Sequence, residues 1–195
     1  MHTISRRNVN DAYGDGLWYL KLSGTVENSR NGEVIVAPGP VVNVYHNPRE
    51  RVLFDSVRDA NPYFHFFEAL WMLAGRRDVE YVAQFVKRMR DYSDDGVNLG
   101  GAYGYRWRHE FGFDQLNSLI KHLQDAPSSR QAVLTMWNTV FDHTGGKDIP
   151  CNTHAYISIK ENKLDITVCC RSNDAIWGCY GANVVHMSFL QEYLA

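Results

Sequence analysis

The stretch HAYISIKENKLDITVCCRS, residues 154–172, decides the architecture. It contains two runs that alternate apolar and polar residues on either side of Glu161-Asn162. Alternation with a period of two marks a half-buried strand. Two such runs joined by two polar residues predict an antiparallel hairpin, although the turn lacks the favoured glycine. In the second run Leu164, Ile166, Val168 and Cys170 share one face, which leaves Thr167, Cys169 and Arg171 on the other. An antiparallel hairpin among interspersed helices and strands points to α+β rather than to a strict βαβ series.

Working outward, RQAVLTMW (130–137) reads as a strand on its Val, Leu and Thr content. NPYFHFFEALWMLAG (61–75) is the clearest helix, with Asn61 as N-cap, Pro62 at the first helical position and Gly75 at the close. Phe66, Leu70 and Leu73 fall on one face of it, and Glu68 sits within that apolar surround. DVEYVAQFVKRMRD (78–91) and FDQLNSLIKHLQDAP (113–127) predict two more helices, and GANVVHMSFLQEYLA (181–195) a last one. YSDDGVNLGGAYGYRWR (92–108) reads as a Gly-rich, aromatic loop. Near the start, GLWYLKLSG and EVIVAPG read as strands, with TVENSRNG between them as a polar loop carrying Arg30.

The bulk properties narrow the function classes. A chain of 195 residues fits a single domain, 1–195, with a sizeable core. A net charge of -2 with 22% charged residues gives no basic field for DNA or RNA. No run of about 18 apolar residues is present, and Met1 to Ser5 lacks a signal-peptide layout, so a cytoplasmic protein without a membrane partner is expected. The four cysteines form no C-x-x-C pair, so neither a zinc site nor a disulfide framework is expected.

The groups with chemical capacity lie mostly late in the chain. Cys151 follows Pro150 in a loop that leads into the hairpin. It reads either as a small buried hydrophobe or as a nucleophile whose thiolate a nearby cation such as Arg171 would favour. CCRSND (169–174) ends the second arm with Arg171, Ser172 and Asp174, and an arginine beside a hydroxyl suits a phosphate; a solvated strand end is the other reading. Arg30 and Arg130 are further loop arginines. Glu68 is a carboxylate on an apolar helix, costly unless paired or protonated. Asn183 reads as a helix N-cap or as an amide that reads a base edge.

Taken in order, these segments resemble the thymidylate synthase family, which includes the pyrimidine nucleotide hydroxymethylases. FFEALWMLAG is similar to the family's glutamate-bearing helix, LGGAYGYRWR to its Gly-x-x-Tyr-Gly-x-x-Trp-Arg loop and SSRQAVLTMWN to its Ser-Arg strand. IPCNTHAYISI resembles its nucleophile segment, and CCRSNDAIWG its Arg-Ser-x-Asp phosphate segment. The resemblance runs from about Arg30 to the last residue and implies a mixed β-sheet flanked by helices and a sheet-mediated homodimer.

It also implies roles. Cys151 adds to C6 of a pyrimidine nucleoside monophosphate, making C5 a nucleophile toward the methylene of 5,10-methylene-tetrahydrofolate. Glu68, set in apolar surroundings, moves protons around the base carbonyl and the folate. Arg30, Arg171 and Ser172 hold the nucleotide phosphate, and Arg130 reaches the phosphate of the neighbouring subunit. Asn183 reads uracil, Asp174 lies near the folate, and Tyr103 near the active-site water network.

Five departures from the family pattern accompany the likeness. The synthases have His after the nucleophile where this chain has Asn152, and Arg where it has Gln131. The span from Asp174 to Asn183 is one residue longer than the pattern. The segment KRMRDYSDDG carries Met89 and Tyr92 but no Trp, the residue that shields the methylene intermediate on its way to reduction. The sequence also stops before the family's His-x-Tyr motif and folate-closing tail, so it is read as a C-terminally short member. The first expectation is therefore dUMP to dTMP, narrowly ahead of 5-hydroxymethylation of dUMP, dCMP or CMP. A cysteine hydrolase using His143, His154 or His186, and a catalytically silent nucleotide-binding module, are the competing classes.

Overall fold

A computed structural model describes residues 1–29 and 32–195. Arg30, expected at the phosphate, lies outside the described residues. The chain divides into two compact units, Met1–Ala60 with Asp174–Ser188, and Asn61–Asn173 with Phe189–Ala195.

In the first unit, strand β1 (His2–Arg6) leads into helix α1 (Val9–Ser23), followed by β2 (Thr25–Ser29), β3 (Gly32–Val36) and β4 (Val41–Tyr45). The segment GLWYLKLSG is thus helical, not a strand. Asn8 caps α1 by accepting the Asp11 N–H, and Val9, Ala12 and Gly16 are buried at helical spacing while Trp18 and Leu22 face outward. Of the large apolar residues in the run that suggested a strand, Leu17, Tyr19 and Leu20 are half-buried and Trp18 and Leu22 exposed, and the fully buried positions of the helix are small residues. A Cβ on Gly16 would run into the ring of Tyr180, so that glycine serves close packing rather than a turn. TVENS, expected as loop, is β2 and pairs antiparallel with β3, whereas β1 pairs in parallel with β4. Asp174 opens a π-helical stretch, Ala175–Ala182, by accepting the Trp177 N–H, and Gly181 breaks the helical dihedrals before the last helix begins.

The second unit holds α2 (Pro62–Leu73), α3 (Val79–Ala83), α4 (Tyr103–Arg108) and α5 (Gln115–Asp125), then β5 (Val133–Thr135), β6 (Asn152–Lys160) and β7 (Lys163–Cys170). Helix α6 (Asn183–Leu194) contributes its part from Phe189 onward. Asn61 caps α2, as the sequence predicts, through the Phe64 N–H. The face it buries differs from the expected one: Phe64, His65, Glu68, Ala69, Trp71 and Met72 point inward, while Phe66, Phe67 and Leu70 stay exposed. The helix predicted over 78–91 is broken. Val86 is extended, and Lys87–Tyr92 is a separate 3-10 turn.

Strands β5, β6 and β7 form an antiparallel sheet in that order. The hairpin predicted around Glu161-Asn162 is present, and both turn residues have positive φ, 51° and 58°. That is the type I′ geometry whose twist matches the flanking strands. Asn152 pairs with Cys170 but His154 pairs with Cys169, so Thr153 is the extra residue of a β-bulge. Leu134, Ala155 and Ile157 supply the buried side of the sheet. The α+β content is as expected, but the strands expected in one mixed sheet are divided among three sheets in the described residues. Among these residues no helix is long and apolar enough to cross a membrane.

Candidate active site

The bulge places Cys151 at the open end of the β6–β7 hairpin, immediately after the buried Pro150. Two backbone donors converge there: the N–H groups of Cys151 and Asn152 both donate to the Tyr103 hydroxyl oxygen at 3.1 Å. Burial raises the Tyr103 phenol above its ordinary range, so it stays protonated while it accepts both bonds. The Arg171 backbone N–H donates to the Cys151 carbonyl at 2.9 Å. Its guanidinium bonds back to the same loop, Nε to the Pro150 carbonyl at 2.9 Å and Nη2 to the Ile149 carbonyl at 3.1 Å. A permanent cation is thereby fixed on the segment that carries the thiol, with Nη1 making no hydrogen bond among the described residues. The guanidinium also lies 5.7 Å from the centre of the Trp137 ring.

The long connection between β5 and β6 is fastened to the Gly-rich loop. Arg106, buried, donates to both oxygens of the buried Asp142 at 2.7 and 2.8 Å, and also to the carbonyls of Gly100 and Met136. The Gly101 N–H donates to the Asp148 carboxylate at 2.8 Å, and Lys147 bonds to Ser93 and Asp94. Helix α4 is seated by Gly104, where a Cβ would collide with the Met72 carbonyl of α2. Glu68 lies one turn earlier on that helix, buried. A buried ion pair costs both partners their hydration, and here five hydrogen bonds from one guanidinium compensate.

Cys151, Tyr103 and Arg171 are therefore brought together by direct hydrogen bonds. Ser172 follows Arg171 and is exposed, and Arg130 is exposed in the turn before β5. Asp174 and Asn183 belong to the first unit. Asp174 is spent in part on capping the Trp177 N–H at 2.6 Å. Asn183 has helical dihedrals and continues from the kinked stretch, so it is not an N-cap. Sequence reasoning missed Arg106 and Asp142, whose partnership spans 36 residues, and it missed Cys170, whose thiol donates to the Asn152 carbonyl oxygen at 2.9 Å. Desolvation pushes the Cys170 thiol up to about 11, which keeps it a protonated donor at neutral pH. All four cysteines are free thiols. Among the described residues no three His, Cys, Asp or Glu side chains gather as a metal site.

Comparison with known proteins adds to this geometry. The family model described as thymidylate synthase matches residues 43–195. A protein of Pseudomonas phage M6 named deoxyuridylate hydroxymethyltransferase is 53% identical over 197 residues, covering 100% of this chain and 56% of its own length. A protein of the same name from Bacillus phage SP01 is 36% identical over 207 residues, covering 100% of this chain and 54% of its own. A protein of Vesicomyosocius okutanii named thymidylate synthase is 26% identical over 135 residues, covering 66% of this chain and 50% of its own. The chain spans about half the length of the curated relatives it matches.

Proposed function

The chain belongs to the thymidylate synthase family, and from that premise we propose that it acts as a deoxyuridylate 5-hydroxymethyltransferase. In this reading the Cys151 sulfur adds to C6 of dUMP, and C5 then bonds to the methylene carbon of the co-substrate 5,10-methylene-tetrahydrofolate. Loss of the C5 proton and departure of tetrahydrofolate leave a methylene group on C5. Water adds to that carbon, and release of Cys151 from C6 restores the ring. Covalent addition divides one difficult substitution into easier steps, because C5 of an unmodified pyrimidine is a poor nucleophile.

The observation that carries the reading is the mutual lock of Cys151 and Arg171 across the open end of the hairpin. It fixes the Arg171 guanidinium on the loop that carries Cys151, and this supports a reading in which Cys151 is the nucleophile and Nη1 of Arg171 donates to a phosphate. Ser172 and Arg30 complete the phosphate contacts, and a homodimer supplies Arg130 from the second copy. Glu68 moves protons to and from the base carbonyl, Asn183 reads the uracil edge, Asp174 serves the folate, and Tyr103 holds the nucleophile's backbone. The choice of hydroxymethyl over methyl rests on the names of the two phage relatives and on the Lys87–Tyr92 turn, which carries Met89 and Tyr92 where a shielding Trp would exclude water.

The test is the mass of the nucleotide product after the full chain is incubated with methylene-tetrahydrofolate and, separately, dUMP, dCMP and CMP. A gain of CH2O on dUMP is expected. A gain of CH2 would make the activity thymidylate synthesis, the second reading, and a folded chain that modifies none of the three would overturn both.

A further inference from the structure

The residue after the nucleophile holds an unspent donor. Asn152 is 0% exposed, and its side-chain nitrogen is buried without a hydrogen-bond partner among the described residues. Strand parity alone would put Asn152 on the side of Tyr156, which is 50% exposed. The extra residue of the bulge, Thr153, turns it instead to the side of Ala155 and Ile157, both buried. A buried amide N–H with no acceptor forfeits its hydration without replacement, so such a group calls for a ligand atom that accepts.

The Cys170 thiol donates to the Asn152 carbonyl oxygen at 2.9 Å, which leaves the amide nitrogen as the unpartnered end. Asn173 donates in turn toward the Cys170 sulfur at 3.8 Å. The three side chains form a relay that ends on the N–H2 group of Asn152, the residue that follows Cys151 in the chain.

Resting on the activity proposed above, we infer that Asn152 is a specificity-determining residue whose N–H2 group donates to the C4 carbonyl of the pyrimidine held on Cys151. Uracil carries an acceptor oxygen at that position and cytosine a donor amine. A fixed donor therefore bonds the first and opposes the second, and a site built for one hydrogen-bond pattern rejects the other by leaving buried groups unpaired.

The test compares dUMP with dCMP, both in kcat/KM for C5 modification and in Kd by calorimetry without the folate. Asn152→Asp replaces the donor by an acceptor of the same shape, and the dUMP:dCMP preference should fall roughly tenfold or more. Cys170→Ala removes the thiol that orients the amide and should lower the preference less, whereas Cys170→Ser keeps a donor and should retain it. A folded Asn152→Asp protein with the preference unchanged would overturn the inference. If that variant does not fold, the Cys170 pair decides, and identical preferences in Cys170→Ala and Cys170→Ser count against it. Calorimetry separates the two levels. A wild-type chain that binds dUMP over dCMP but modifies neither would sink the proposed activity while the Asn152 inference is still judged on binding.

Discussion

Two hairpins in this molecule have the same connectivity and different fates. β2–β3 exposes every described side chain on both of its faces, so it is defined chiefly by its backbone ladder, with the Ser29 hydroxyl donating to the Gly32 carbonyl across it. β6–β7 has Ala155 and Ile157 buried on one side and ends in a bulge whose neighbours are bonded to Tyr103 and Arg171. A ladder fixes strand geometry, but only a buried face fixes which way each side chain points, because a one-residue slip would turn the whole apolar set outward. A two-stranded ribbon without such a face is marginal on its own. Cys151, the proposed nucleophile, lies at the end of the hairpin whose facing is determined.

Four variants measure that contrast. The largest effect is expected at the open end: Asp142→Ala strands the buried Arg106 guanidinium and should cost about 4 kcal/mol of unfolding free energy by denaturant titration. A loss under 1 kcal/mol would mean that the clamp does not hold the β5–β6 connection. Next, Ile157→Ala in β6 should cost about 3 kcal/mol, whereas Ile35→Ala in β3, 54% exposed, should stay within about 0.5 kcal/mol. Equal denaturation midpoints for these two would erase the distinction between the hairpins. The smallest effect belongs to the β6–β7 turn. Replacing Glu161-Asn162 by Asn-Gly supplies the residues a type I′ turn favours and should raise stability by roughly 0.5 kcal/mol; a loss would show that the turn is held by contacts rather than by its dihedrals.

The same contrast explains what was legible in the sequence. The β6–β7 hairpin, the Asn61-capped helix and α5 could be read because periodicity and capping act locally. Helix α1 was misread because its buried side is Val9, Ala12 and Gly16, small residues whose partner, Tyr180, lies far along the chain. The face of α2 was misjudged because Phe66, Phe67 and Leu70 are apolar yet exposed, while the charged Glu68 is buried. At the site, Cys151, Tyr103 and Arg171 were nameable from motifs. The Arg106–Asp142 clamp and the Asn152–Cys170 bond were not, since each depends on a distant strand or loop coming into place and no local spacing encodes it.

The fastenings of the β5–β6 connection bear on how the chain meets a protease. Gly145 and Gly146 are exposed and have positive φ, which makes them the natural place for a cut. On one side of them Asp142 is bound to Arg106, and on the other Lys147 and Asp148 are bound to Asp94 and Gly101. A nick there severs a span already pinned at both ends, so the two fragments remain associated and Cys151 keeps its place against Tyr103.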